Sequence, residues 1–153
     1  VLCWGANPAG ELGDGRTTDN YQPTRVEGVD HVVSIDVGVN NTCVADAAGA
    51  VKCWGTDNQS GVAEGRGFAI SSKRPETLVY LEKIESVQNG RNYACGRDRH
   101  GAIFCWGSLG AVPQGTDVVL RAPLGEDLNH MGVVVRLDDS DQAVSLDLAM
   151  FQG

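Results

Sequence analysis

One hundred and fifty-three residues correspond to about one domain, and 42% hydrophobic residues make the chain too apolar for wholesale disorder. Twelve basic residues against twenty acidic ones leave a formal net charge of −8; such a field repels phosphate and argues against a nucleic-acid partner, which needs clustered Lys and Arg. The longest apolar runs, such as Val133-Val134-Val135, fall far short of a membrane span, and twenty Gly with five Pro favour short strands and tight turns over long helices.

The chain opens on a strand, Val1-Leu2-Cys3-Trp4-Gly5, whose last three residues recur as Cys53-Trp54-Gly55 and Cys105-Trp106-Gly107, at spacings of 50 and 52 residues. Each copy follows an apolar residue two places earlier: Val1, Val51 and Ile103. Next comes Val33-Ser34-Ile35-Asp36-Val37, whose alternation has the period of a strand and predicts that Val33, Ile35 and Val37 bury one sheet face. Gly38 and Gly90, each shortly after an apolar segment, suit a place where backbones approach closely near a crowded axis. Ten residues ahead of the second and third Cys-Trp-Gly stand Cys43 and Cys95, so that Asn41 to Asp46 lies over Tyr93 to Asp98.

A hairpin accounts for that spacing. With the three-residue loops Ala47-Ala48-Gly49 and Arg99-His100-Gly101, antiparallel register sets Cys43 opposite Cys53 and Cys95 opposite Cys105, and both loops end in the Gly that a left-handed position requires. Val51 and Cys53 then share one face of their strand while Trp54 points to the other. Opposed residues have Cα atoms about 4.5–5.5 Å apart, within reach of a disulfide. Free, buried, apolar cysteines are the alternative; the recurrence of one register favours two disulfides. Counting back the same ten positions from Cys3 passes the first residue, so Cys3 is expected as an unpaired thiol in a chain that begins inside a repeat. Toward the C-terminus, Val133 to Leu137 and Ala143 to Leu148 read as two strands around the polar turn Asp138 to Gln142.

One full unit reads Trp4-Gly5-Ala6-Asn7, then Gly10-Glu11-Leu12-Gly13-Asp14-Gly15, Pro23, Val26, Val33 to Gly38, Thr42-Cys43-Val44 and Gly49 to Gly55. This resembles the repeat of the regulator of chromosome condensation family, and the paired cysteines resemble its secreted bacterial branch. The resemblance is fullest over residues 3–55. Over 56–107 it keeps Pro75, Ile84, Val87, Gly90, Cys95 and Gly101 but replaces Gly-Glu-Leu-Gly by Ser60 to Gly65, and over 108–153 only Leu109 to Gly115 echoes the loop. It implies an all-β fold: a partial β-propeller of about three four-stranded antiparallel blades, a segment of a wheel of about seven. The units are approximately 3–55, 56–107 and a divergent 108–153. A repeat of this kind buries its apolar face only by stacking on neighbours, so further blades from a parent chain or an oligomer mate are expected.

The sequence offers little catalytic chemistry. His31, His100 and His130 are dispersed turn and surface residues, and cysteines ten apart across a hairpin do not have zinc-knuckle spacing. Asp138-Asp139-Ser140-Asp141 lacks the Gly and Glu of an EF-hand loop, and no Gly-x-Ser-x-Gly elbow occurs. No catalytic residue, metal or cofactor is therefore expected. The one locally basic stretch, residues 66–74, offers Arg66, Phe68, Lys73 and Arg74 as a contact loop, or else is an ordinary inter-strand loop whose Phe68 covers the blade edge. Paired cysteines are stable in an extracellular, periplasmic or cell-surface setting. The expected function is that of a non-catalytic module of a secreted or surface propeller, binding a protein partner through variable loops. Two other readings stay open: a propeller-type polysaccharide lyase or hydrolase whose site needs further blades, and an exchange factor for a small GTPase.

Overall fold

The computed structural model describes residues 1–55, 72–79, 81–90 and 93–107, and the backbone of 135–137. Every regular element among them is a strand: β1 (Leu2–Gly5), β2 (Asn20–Arg25), β3 (Val32–Val37), β4 (Asn41–Asp46), β5 (Val51–Gly55), β6 (Ser72–Thr77), β7 (Ile84–Asn89), β8 (Tyr93–Asp98), β9 (Ile103–Gly107) and β10 (Val135–Leu137). They form three antiparallel sheets in the order β1-β2, β3-β4-β5-β6 and β7-β8-β9-β10. Each four-stranded sheet is a propeller blade of antiparallel strands, and among the described residues the first sheet holds two strands that correspond to the last two of a blade. The expected all-β propeller segment is therefore present. The expected strand Val133 to Leu137 appears as β10, pairing with β9; the one expected at Ala143 to Leu148, with the turn Asp138 to Gln142, lies outside the described residues.

The hairpin register is the one the cysteine spacing predicts. Cys43 faces Cys53 and Cys95 faces Cys105, with Cα atoms 4.1 and 4.0 Å apart and the sulfur atoms at bonding distance in both pairs. Each turn is tied by one aspartate: the Asp46 carboxylate accepts from Ala48 N and Ala50 N, and Asp98 repeats this with His100 N and Ala102 N. Gly49 and Gly101 close these turns at φ of 86° and 88°, where a side chain would cost about 1–2 kcal/mol. The Gly of the recurring tripeptide has another task. Gly55 sits at φ 99° beside a register shift between β5 and β6, and a Cβ there would meet the backbone of Asn40 and Asn41.

Two apolar layers separate the sheets, because successive residues of a strand point to opposite faces. Val44 and Trp54 pack with Val26 and Val29 toward the first sheet. Cys43, Ala45, Val51 and Cys53 pack with Leu78, Leu81, Ile84, Val87, Ala94 and Trp106 toward the third. The expected split of Val51 and Cys53 from Trp54 is thus observed. The outermost strands β2 and β6 carry Pro23 and Pro75 near their centres, where a missing N–H costs no ladder bond and discourages edge pairing.

One expectation is overturned. Val33, Ile35 and Val37 do share a face of β3, but that face is open to solvent, at 58, 46 and 61% exposure. The intervening polar residues turn inward instead. Ser34 Oγ accepts from Val87 N at 3.1 Å, and Asp36 accepts from Asn89 through both its carboxylate, from the backbone N at 2.6 Å, and its carbonyl, from Nδ2 at 2.8 Å. Alternation identifies residues on one face; which face has a neighbour depends on the blades beside it. Gly38 does lie at a close approach, since a Cβ on it would come within 3.1 Å of the Gly90 carbonyl.

Candidate interaction surface

The connection from β1 to β2, residues 6–19, is long, and its order is set by one side chain. Asn7 is fully buried. Its Oδ1 accepts from Leu12 N at 2.9 Å, and its Nδ2 donates to the Arg16 and Thr18 carbonyls at 3.2 Å and to the Asp14 carboxylate at 3.4 Å. Its backbone N donates to Asp19. An amide can serve both sides of a loop in this way because it carries donors and acceptors at one tip.

The ordered loop reaches across to the second blade. The Glu11 carbonyl accepts from Trp54 Nε1 at 2.7 Å and from Thr42 Oγ1 at 3.1 Å, and Gly15 N donates to the Lys73 carbonyl at 2.9 Å. Trp54 is thereby buried completely while its one polar atom stays satisfied. The same loop leaves Arg16, Thr17, Thr18 and Asp19 exposed beside Tyr21 on β2 and beside Lys73 and Arg74 on β6. Arg74 pairs with Glu27 at 3.7 Å and Arg25 with Asp30 at 3.3 Å, all four side chains well exposed. The Tyr21 hydroxyl donates to Asp19 at 3.1 Å; that hydrogen bond, with the negative charge of Asp19, raises the phenol above its ordinary range, so Tyr21 remains a neutral donor. The result is an exposed surface of mixed charge, with one exposed aromatic ring, held by a buried polar network.

Of the four residues expected in a contact loop, Lys73 and Arg74 are brought together with this surface, but they lie on strand β6 rather than in a loop; the strand continues through Pro75 because it is outermost. Arg66 and Phe68 lie outside the described residues. His31 and His100 are exposed at turns. Among the described residues no three His, Cys, Asp or Glu side chains converge as a metal site. Cys3 is half-buried and unpaired, and burial pushes its thiol up from the ordinary range, partly offset by the N-terminal ammonium. Sequence reasoning placed Asn7 in the repeat unit without giving it a role, and missed Asp19 and Tyr21. The polar and Gly-rich character of residues 7–20 marks a loop but not its organiser; the place of Asn7 in the repeat unit was the signal that could have pointed to it.

Residues 1–45 match the model of the regulator of chromosome condensation (RCC1) repeat. The ultraviolet-B receptor UVR8 of Arabidopsis thaliana is 24% identical over 110 residues, which cover 70% of this chain and 25% of that protein. Among solved structures, yeast RCC1 (Prp20) bound to Kap60 superposes with a TM-score of 0.57 at 21% identity, covering 69% of this chain and 27% of that one. Human WBSCR16 gives 0.55 at 21% identity, covering 71% and 29%. These structural likenesses speak for the fold alone. The chain spans about a quarter of the length of UVR8.

Proposed function

We propose that this chain, whose residues 1–45 match the regulator of chromosome condensation repeat, is a non-catalytic protein-binding segment of a propeller, and that its recognition surface is the rim formed by residues 14–21 with Lys73 and Arg74. The observation that supports this reading most is the Asn7 network. A buried amide holds a loop that projects alternating charges and the Tyr21 ring, so little side-chain and backbone freedom remains to be lost on binding. A net charge of −8 favours a protein partner over a nucleic acid. The two cysteine pairs at bonding distance favour an oxidising setting: extracellular, periplasmic or at a cell surface.

The structure of Prp20p from Saccharomyces cerevisiae, described with its binding to Gsp1p and histones, gives a TM-score of 0.54 at 23% identity, covering 69% of this chain and 28% of that one. Binding of proteins is thus a described property of a protein of this fold. Photo-crosslinkers placed at Arg16 and Arg74, in protein exposed to its native extracellular milieu, are expected to capture the same protein from both positions, with loss of capture in Arg74→Glu. Capture of a polysaccharide, or accelerated release of guanine nucleotide from a small GTPase, would instead support the enzyme or exchange-factor reading.

A further inference from the structure

Asn89 is the one asparagine of the sequence that is followed by glycine. Such a bond is chemically weak. With no side chain on the second residue, its amide nitrogen reaches the asparagine carboxamide carbon, closes a five-membered imide and expels ammonia. Water then opens the imide on either side, leaving aspartate, or isoaspartate with one more carbon in the backbone. The fold places this bond at the junction of the second and third sheets. Asn89 is half-buried at the end of β7, paired with Ala94. Its backbone N donates to the Asp36 carboxylate at 2.6 Å and its Nδ2 to the Asp36 carbonyl at 2.8 Å. Its Oδ1 is buried and, among the described residues, accepts no hydrogen bond. Gly90 follows at the close approach to Gly38. Each of these contacts opposes ring closure while the junction is shut. Asp36 holds the leaving nitrogen, its carboxylate and strand pairing fix the backbone, and the negative charge that gathers on Oδ1 during attack meets no donor.

We infer that Asn89 is a deamidation site latched by Asp36: the closed blade junction protects it, and the modified residue keeps an opened junction from closing again. In the step itself the bond from Gly90 N to Asn89 Cγ forms and the Cγ–Nδ2 bond breaks. The proton from Gly90 N passes to the departing nitrogen, which leaves as ammonia, and one water opens the imide. The product has lost the Nδ2–H donor to the Asp36 carbonyl and carries a carboxylate beside Asp36. Two acceptors and two like charges then stand where a hydrogen bond stood. In the isoaspartate form the added backbone carbon also displaces Gly90, whose carbonyl lies within 3.1 Å of the place a Cβ on Gly38 would take. Nothing in water reverses the loss of ammonia, so each modified chain records that its junction has opened.

The test uses the whole chain, with both disulfides intact, in mildly alkaline buffer. Mass spectrometry of the tryptic peptide 84–91 follows the exchange of NH2 for OH at Asn89. Folded protein is expected to deamidate at least about ten-fold more slowly than protein in urea, because the reaction waits on local opening. Asp36→Ala is expected to raise the folded rate about ten-fold and to leave the rate in urea unchanged. Asn7→Ala, which loosens the other side of the second sheet, is expected to leave the Asn89 rate as it is, separating the latch from a general loss of stability. A second measurement reads the consequence directly. In Asn89→Asp, hydrogen exchange at Val87 N, which donates across the junction to Ser34, is expected to be about ten-fold faster, with the β4–β5 hairpin unchanged. Adding Asp36→Asn, which removes the like charge, is expected to restore most of that protection. Equal rates in folded and urea-unfolded protein, an acceleration by Asn7→Ala as large as that by Asp36→Ala, or unchanged exchange in Asn89→Asp would overturn the inference.

Discussion

Asn7 commits its whole side chain to one loop, its oxygen accepting from Leu12 N and its nitrogen lying within hydrogen-bond distance of two carbonyl groups and the Asp14 carboxylate. Asn7→Ala removes all of these contacts and leaves the buried Leu12 N–H without its acceptor. The expected loss is about 2–3 kcal/mol, read by urea denaturation, with Trp54 emission shifting because the Glu11 carbonyl that holds its indole moves with the loop. A second kind of residue is strained rather than satisfied. His31 and Lys83 occupy equivalent positions one residue before β3 and β7 and adopt φ of 53° and 63°. The Lys83 side chain is exposed, so Lys83→Gly is expected to raise stability by about 0.5–1 kcal/mol, the relieved left-handed strain exceeding the added chain entropy. An unchanged or lower denaturation midpoint would refute it. Cys3 supplies a pH test. Its thiol is raised in the folded state, so the stability it contributes is present below the ordinary thiol pKa and is lost as pH rises through the folded value. Alkylation of folded protein is expected to reach half its maximal rate at higher pH than alkylation of the urea-unfolded chain.

At the scale of strands, the junction between blades is polar at its inner edge and apolar behind it. Ser34 and Asp36 reach residues 53 positions away, one repeat along the chain. No local pattern in β3 announces this role, since a serine and an aspartate alternating with valines read as a solvated face. The hairpins were far more legible: a ten-residue cysteine spacing and two loop glycines were enough to fix the register of β4 with β5 and of β8 with β9. The difference is one of range. A hairpin closes within its own sequence, whereas the face of β3 is decided by a neighbouring blade. The inward reading of Asp36 has its own consequence. Asp36→Ala removes the charged acceptor at 2.6 Å from Asn89 N and is expected to cost about 1–2 kcal/mol, while Asp36→Asn, which keeps a neutral acceptor, is expected to cost about half as much. Equal costs would show that charge plays no part in the contact.

In the molecule as a whole, the second sheet carries both apolar layers, with Val44 and Trp54 on one face and Cys43, Ala45, Val51 and Cys53 on the other. Opening β4 or β5 therefore exposes both junctions together, even though stacked repeats in general are coupled only to their nearest neighbours. Trp54 and Trp106 sit one in each layer and serve as separate reporters. In the chain-entropy account a crosslink closing about ten residues contributes about 2.5–3 kcal/mol, and the Cys43–Cys53 pair also fills the layer that contains Trp106. The variant Cys43→Ala/Cys53→Ala is expected to lose at least about that much, with the Trp54 and Trp106 transitions falling to lower denaturant together. The Cys95–Cys105 pair belongs to the third sheet alone. Its removal is expected to lower the Trp106 transition while Trp54, on the far side of the second sheet, keeps its own. Single-tryptophan versions of each double variant separate the two signals; a fall of the Trp106 transition alone on loss of Cys43–Cys53 would show that the second sheet does not couple its two faces.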